Sequence, residues 1–512
     1  MQLGAPIEHH AQQSPQALAL HFDGEDVTYA EFWRRVLQAQ AALHRRGIAT
    51  GDRVAWLGQN SPAMLVLLFA LARLDAILVP LNYRLAEPEL TAILQDAGAR
   101  LLVLNAAGLA NAPGPQPGLS CMPATELAAP VQIATRSGAG LDDAPVLLVY
   151  TSGTTGKAKG ALYRQSALLA NCRIAAVAQE MHRTDRVLTV LPLFHVGGLC
   201  IQTLPALYLG AQVHLQRSFD AGAWLCAVQS RRPTLSLMVP ATLRAVLDHA
   251  SFAATDLSSL RLLMTGSSVV PLALIEPLHA RGIPVGQVYG ATETGPVSIY
   301  LGRAQAMAHP GSAGQAAPGV EVRLLGTGAQ PVAVGEVGEI CIRGPNTMLG
   351  YWEDPDNPAF RDGWFHSGDL AQQDADGYYW VVGRAKDMLI SGGENIYPAE
   401  IENLLSGHPD VIEVAVLGVA DATWGEVVVA AVVRRQGSGL DEASVRRLLA
   451  GRVASFKIPQ RVAFFDSLPK TALGKVQKAL LRLQMVAQGP GGQQESAFAR
   501  AQREPKGGGR AM

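Results

Sequence analysis

One stretch constrains this chain more than any other: Tyr150-Thr-Ser-Gly-Thr-Thr-Gly-Lys-Ala-Lys-Gly160. It follows the apolar run Pro145-Val-Leu-Leu-Val149, short enough for a buried strand, and precedes a segment whose pattern predicts helix over 163–179. A loop of this composition leaving a strand suits an anion. Glycines let backbone N–H groups approach closely, the Thr and Ser hydroxyls add donors, and Lys157 and Lys159 add positive charge. The combination fits a polyphosphate. The Walker A spacing, Gly-x4-Gly-Lys-Ser/Thr, is excluded. Counted back from Lys157, its first Gly falls on Thr151, and Ala158 follows the lysine; Lys159 follows Ala158 rather than Gly.

The stretch resembles instead the phosphate loop of the adenylate-forming superfamily: acyl-CoA synthetases, adenylation domains of peptide synthetases, and luciferases. That family usually writes Thr-Ser-Gly-Thr-Thr-Gly-x-Pro-Lys-Gly, and here Ala158 replaces the proline. The resemblance covers roughly residues 15–482 and rests on five motifs in the family order. It points to the acyl-CoA synthetase branch, ligases joining fatty or aryl acids to CoA. It implies that Thr151, Ser152, Gly153, Thr154, Thr155, Gly156 and Lys159 hold the ATP phosphates.

Composition agrees and removes other classes. A chain of 512 residues exceeds one ordinary core, so two or more domains are expected. Hydrophobic residues at 48% and charged residues at 17% describe a soluble globular protein with a large core. A formal net charge of -1 provides no basic field for nucleic acid. Cys121, Cys172, Cys200, Cys226 and Cys341 are scattered and form no C-x-x-C pair, so they are expected as buried free thiols in a reducing, cytoplasmic compartment. Residues 1–16 lack a signal-peptide pattern. The apolar run 64–71 is interrupted by Arg73 and Asp75, short of the roughly 20 residues of a membrane span, and reads as a core helix.

Taken in order, the chain alternates strand and helix patterns, which predicts a largely parallel sheet with helices on both faces. Strands are expected near 27–31, 52–57 and 101–104, with a helix over 32–46 and another opened by Ser61-Pro62. Residues 105–144, rich in Ala, Gly and Pro, read as a surface excursion. The strand 186–191 ends in Pro192-Leu-Phe-His-Val-Gly-Gly198, which places His195 to line a cleft; in the family an aromatic or His here borders the acid pocket. No carboxylate occurs between Arg186 and Phe219. Amino-acid-activating relatives place an Asp there, and an unpaired buried ammonium is costly, so the acid is expected not to be an α-amino acid. Val196, Leu199, Ile201 and Val297 favour a fatty or aromatic body, and Arg303 is too loosely placed to argue a dicarboxylate.

The strand 261–266 leads to Ser267 and Ser268, where the family packs Gly-Gly-Ala on adenine. The strand 285–288 ends in Tyr289-Gly-Ala-Thr-Glu-Thr-Gly295, a hydroxyl beside a carboxylate, suited to a phosphate oxygen and its Mg²⁺. The resemblance implies that Thr292 bonds the α-phosphate, Glu293 holds Mg²⁺ and Tyr289 stacks on adenine, with Gln287 and Gly290 beside them in the nucleotide site. In Ser367-Gly-Asp-Leu370, Asp369 follows a Gly turn and offers two acceptor oxygens to the ribose diol.

The stretch Gly383-Arg-Ala-Lys-Asp-Met-Leu-Ile-Ser-Gly-Gly-Glu394 resembles the family's hinge. By that resemblance Arg384 bonds the ribose, Lys386 is the pivot, and Gly392 and Gly393 form a passage for the pantetheine arm of CoA. Glu400 and Glu402, in the first turn of a helix opened by Pro398, read as structural. Phe464-Phe-Asp-Ser-Leu-Pro-Lys-Thr-Ala-Leu-Gly-Lys475 closes the set. Its Lys475 matches the lysine that bonds the substrate carboxylate and α-phosphate, and Lys470 is the weaker candidate.

The expected fold is α/β (mixed α+β): a large multi-sheet adenylation domain over 1–385, a small mobile α+β lid over 386–485, and a disordered tail over 486–512. The expected function is an ATP-dependent acid–CoA ligase. ATP, Mg²⁺ and CoA take part, and a carboxylic acid is the substrate. Nucleic acid and integral membrane segments have no place in this reading, which leaves room for a homodimer. The rival is a stand-alone enzyme that loads an acyl-carrier protein.

Overall fold

The computed structural model describes residues 2–128, 143–151, 158–267, 270–391, 394–421, 424–470 and 475–487. The chain divides into two compact units, Met1–Lys386 and Asp387–Met512.

The first unit carries three sheets. In the nine-stranded sheet, six neighbouring strands run parallel: Val285–Tyr289, Leu262–Gly266, Leu235–Met238, Arg186–Thr189, Gln212–Leu215 and Leu18–Phe22. Antiparallel strands close both edges. Five of the six are wholly or almost wholly buried, as strands covered by helices on both faces must be. The seven-stranded sheet repeats the plan, with Pro145–Thr151, Ile77–Leu81, Arg53–Leu57, Leu101–Leu104 and Ser120–Pro123 parallel. The third sheet is antiparallel throughout and includes Val337–Arg343, Trp364–Gln373 and Tyr379–Arg384. The helix Pro62–Arg73 is apolar all round and buried from Met64 to Ala72, with Ser61 accepting from the N–H of Ala63 at its start. It is a core helix, and among the described residues no helix is long and apolar enough to cross a membrane.

Three expectations need correction. The phosphate-loop stretch does not run straight into a helix. Lys159–Arg164 is a strand paired antiparallel with Pro145–Thr151, Thr151 opposite Lys159, and the helix begins only at Gln165. The described ends of the stretch, Thr151 and Lys159, are thus paired across two antiparallel strands. Gly160 to Tyr163 are all buried, and a short continuous apolar run does not by itself separate strand from helix. Second, residues 105–144 are not only an excursion, because Ser120–Pro123 forms the edge strand beside Leu101–Leu104. Third, the five cysteines are free, but only Cys172, Cys200 and Cys341 are buried; Cys121 lies on that edge strand and Cys226 on a helix, both exposed.

In the second unit, a five-stranded sheet carries Gly425–Arg434 at its centre and Val411–Asp421 at one edge, with helices Pro398–Ser406, Glu442–Leu449 and Lys478–Ala487. Alternation decides which face each residue serves. Val416, Val428, Ala430 and Val432 pack with Ile401 and Leu405, whereas Ala415, Leu417, Val429 and Ala431 pack with Leu481 and Met485. Glu400 and Glu402 are structural here: Lys457 donates to Glu400 at 2.7 Å and Lys478 to Glu402 at 2.7 Å. Of the tail expected over 486–512, residues 486 and 487 end the helix Lys478–Ala487, and residues 488–512 lie outside the described residues.

Candidate active site

The strand Val285–Tyr289 delivers its chain into a loop that is pinned from several sides. The buried Tyr163 hydroxyl donates to the carbonyl of Thr292 and accepts from the N–H of Gly295 at 3.0 Å. The N–H of Met348 donates to the carbonyl of Glu293 at 2.9 Å. Gly295 has φ +74°, and Asn346 packs where its side chain would stand. A Cβ on Gly290 would come within 2.6 Å of the Gly295 carbonyl, so the close return of this loop requires glycine there. Thr292 and Glu293 are thus held on a fixed frame at the end of a central parallel strand, where open α/β sheets place their ligands.

Glu293 is oriented by Tyr351, whose hydroxyl donates to Oε1 at 2.7 Å. Burial, then the Glu293 charge, holds the Tyr351 phenol above its ordinary range, so it stays a donor. Lys159 lies with its Nζ 5.0 Å from the centre of the same ring and 3.9 Å from Asp354. A carboxylate presenting hard oxygens beside a cation and a hydroxyl-bearing loop fits a hydrated Mg²⁺ bound together with phosphate.

A second cluster gathers residues far apart in sequence. Asp369 lies inside the strand Trp364–Gln373, directly after Gly368, which has a turn-like φ of +69° within that strand. Tyr289 donates to Asp369 Oδ2 at 2.8 Å, and Arg384, its cross-strand partner, meets Oδ1 at 2.8 Å. Burial and the Asp369 charge keep the Tyr289 phenol protonated. A carboxylate has about four acceptor sites, so Asp369 can serve a diol while keeping both partners. Ser367 Oγ accepts from the N–H of Asp369 at 3.0 Å, and Glu339 accepts from that of Gly368 at 2.9 Å.

Other expected residues fall around these clusters. Gln287 is buried, and among the described residues its amide nitrogen has no hydrogen-bond partner, which leaves a donor for a ligand. Ser267 is exposed and adopts φ +74°, a strained conformation for a non-glycine residue directly after a strand. His195 caps a short helical turn, its ring 4.4 Å from that of Phe194, which meets Tyr83 edge-on at 5.7 Å. The π-helical turn Leu199–Thr203 follows, its carbonyls bonded by Asn171 at Cys200 and Gln179 at Ile201. Val196, Leu199, Ile201 and Val297 are buried. Arg303 faces Glu180 at 4.0 Å.

In the second unit, Lys475 is exposed, while Lys470 donates to Glu413 at 2.6 Å. The second unit begins directly after Lys386, within the turn Ala385–Asp387. Ser152, Gly153, Thr154, Thr155, Gly156, Ser268, Gly392 and Gly393 lie outside the described residues; Thr151, at the end of its strand, is described. Sequence reasoning missed Tyr163, Tyr351 and Glu339. Only Tyr351 left a local signal, an aromatic pair Tyr351-Trp352 beside a glycine.

Residues 7–352 match the family model of the AMP-binding enzymes, and residues 400–475 match that of the AMP-binding enzyme C-terminal domain. An indoleacetate–CoA ligase of Aromatoleum aromaticum is 46% identical over 503 residues, covering 95% of this chain and 98% of that one. A feruloyl-CoA synthase of an Amycolatopsis species is 44% identical over 483 residues, covering 94% and 98%. Among solved structures, the anthranilate CoA ligase AuaEII in complex with anthranoyl-AMP superposes with a TM-score of 0.88 at 26% identity, covering 95% and 98%.

Proposed function

The chain belongs to the AMP-binding enzyme family, and from that premise we propose that it is an ATP-dependent, AMP-forming acid–CoA ligase whose acid is aromatic. The acid's carboxylate attacks the α-phosphorus of ATP, forming the acyl-phosphate bond and releasing pyrophosphate. The CoA thiol then attacks the acyl carbon, the thioester forms and AMP leaves.

The observation that carries this reading is the meeting of Tyr289, Asp369 and Arg384 at the end of the strand that also presents Thr292 and Glu293. In the proposal Asp369 and Arg384 take the ribose, Gln287 and Tyr289 border the base, and Thr292 donates to the α-phosphate. Lys159 and residues 151–156 meet the outer phosphates. Lys475 neutralises charge at the reacting phosphorus, while Lys386 serves as pivot and Gly392 and Gly393 as the CoA passage. Mg²⁺, when bound, supplies charge neutralisation between phosphate oxygens, with Glu293 as its protein ligand. A unit charge pair at about 4 Å is worth roughly 4 kcal/mol at an effective dielectric of 20. Placed only in the transition state, that is about a thousandfold in rate.

An aromatic acid is supported by the carboxylate-free stretch from Arg186 to Phe219, the buried Val196, Leu199 and Ile201, and His195 beside Phe194. Two of the relatives are named for indoleacetate and ferulate, both aromatic acids. A cytoplasmic location, supported by five free cysteines, and a homodimeric assembly belong to the same proposal.

Pyrophosphate release from ATP and Mg²⁺ across a panel of aryl, arylalkanoic and fatty acids tests the first half; consumption of free CoA tests the second. Faster turnover of fatty acids overturns the choice of acid and leaves the ligase standing. Transfer to a carrier protein in preference to CoA overturns the choice of thiol. No acid-dependent pyrophosphate at all overturns the whole reading.

A further inference from the structure

Beside the Asp369 cluster, two neighbouring strands of the antiparallel sheet bring three metal-ligating side chains of different chemistry together. Cys341 on Val337–Arg343 stands directly opposite His366 on Trp364–Gln373, and Glu339, two residues before Cys341, shares its face. The register shifts between Glu339 and Cys341, which draws the carboxylate toward the imidazole. His366 Nδ1 lies 3.3 Å from Cys341 Sγ and 3.2 Å from Glu339 Oε2, and all three ligand atoms fall within 4.8 Å of one another.

We propose that Glu339, Cys341 and His366 form a binding site for a thiophilic divalent cation of the zinc class. Zn–S bonds of about 2.3 Å and Zn–N or Zn–O bonds of about 2.0–2.1 Å at tetrahedral angles separate S from N by roughly 3.5 Å and N from O by roughly 3.3 Å. The observed 3.3 and 3.2 Å need to open by only a few tenths of an ångström. Thiolate with imidazole selects a zinc-type ion over Mg²⁺. Three protein ligands leave a fourth position for water.

The carboxylate is already oriented for this use: Glu339 Oε1 accepts from the N–H of Gly368 at 2.9 Å, which leaves Oε2 on the side of His366. Cys341 is fully buried, whereas the side chains of His366 and Glu339 keep 10% and 27% of their exposure, so the ion enters past the imidazole and carboxylate. The proposal does not depend on the assignment of the enzyme's substrates.

Titration of the full-length protein with Co²⁺, followed by its near-ultraviolet thiolate-to-metal absorption, tests it. The expected result is a saturable band that Zn²⁺ displaces, that C341S abolishes, that H366N weakens at least about tenfold in affinity, and that C121S and C226S leave intact. If C341S does not accumulate, H366N and E339Q read the same site. A wild-type protein without the band overturns the proposal. So does a band that disappears with Cys121 or Cys226, or one that survives substitution at both His366 and Glu339.

Discussion

The nucleotide end of the first unit and the Lys475 end of the second are built on opposite plans. Around Asp369 every polar group is fixed by another: Tyr289 and Arg384 on its oxygens, Ser367 on its N–H, Glu339 on its neighbour. Those partners come from separate strands, so ordering them is part of folding the sheet. Lys475 lies exposed at the surface of its unit, next to the bridge between Lys470 and Val476. Recognition of a rigid base and ribose gains from groups ordered in advance. A charge needed only while negative charge accumulates at phosphorus acts through the difference between the resting and the transition state.

The largest effect should come from breaking the exposed end. Lys475→Ala should lower acyl-adenylate formation by about a thousandfold, the worth of one close charge pair, with thioester formation from supplied acyl-AMP changed only a few-fold. Equal loss in both half-reactions would remove the lysine from the role given to it. At the fixed end, Asp369→Asn keeps the shape and removes the charge facing Arg384. A hydrogen bond to a charged group is worth about 1.5–3 kcal/mol, so KM for ATP should rise roughly tenfold to a hundredfold. An unchanged KM would show that the cluster serves only the fold.

The two ends were also unequally legible in the sequence. Tyr289, Thr292, Glu293, Asp369 and Arg384 could be found because each lies in a short contiguous motif, and the structure brings three of them together across strands. The residues that hold the motifs could not. Tyr163 reaches Thr292 across 129 positions and Tyr351 reaches Glu293 across 58, and no local pattern announces such a pair. The strand Lys159–Arg164 was read as a helix start because Gly160 to Tyr163 are buried on both faces, which erases the alternation that marks a strand. Cys121 and Cys226 were expected inside because composition speaks of compartment and not of which face a residue takes. In the second unit, Val411–Asp421 and Gly425–Arg434 are long and rich in valine, a composition that favours strands.

Between the two plans stands the turn Ala385–Asp387. Lys386→Pro fixes φ at the proposed pivot and should slow thioester formation about tenfold, roughly 1.4 kcal/mol on one barrier, with adenylation nearly unchanged. Unaltered overall turnover would mean that the change between half-reactions does not pass through this residue.

The smallest effect should separate orientation from binding within the fixed end. Tyr351→Phe removes the hydroxyl that donates to Glu293 Oε1 and leaves the ring beneath Lys159 in place. Water can replace the lost donor at this half-buried position, so the net change is about 1 kcal/mol, roughly fivefold in the metal concentration giving half-maximal rate. Binding of Mn²⁺ in the presence of ATP, followed by electron paramagnetic resonance, should weaken by the same factor, while the rate at saturating metal is kept. If the rate at saturation falls and metal binding does not, Tyr351 acts on the reacting phosphate through Lys159 instead of through the Glu293 carboxylate. The fixed end would then contain a part that works only in the transition state, and the division between the two ends would have to be redrawn inside the first unit.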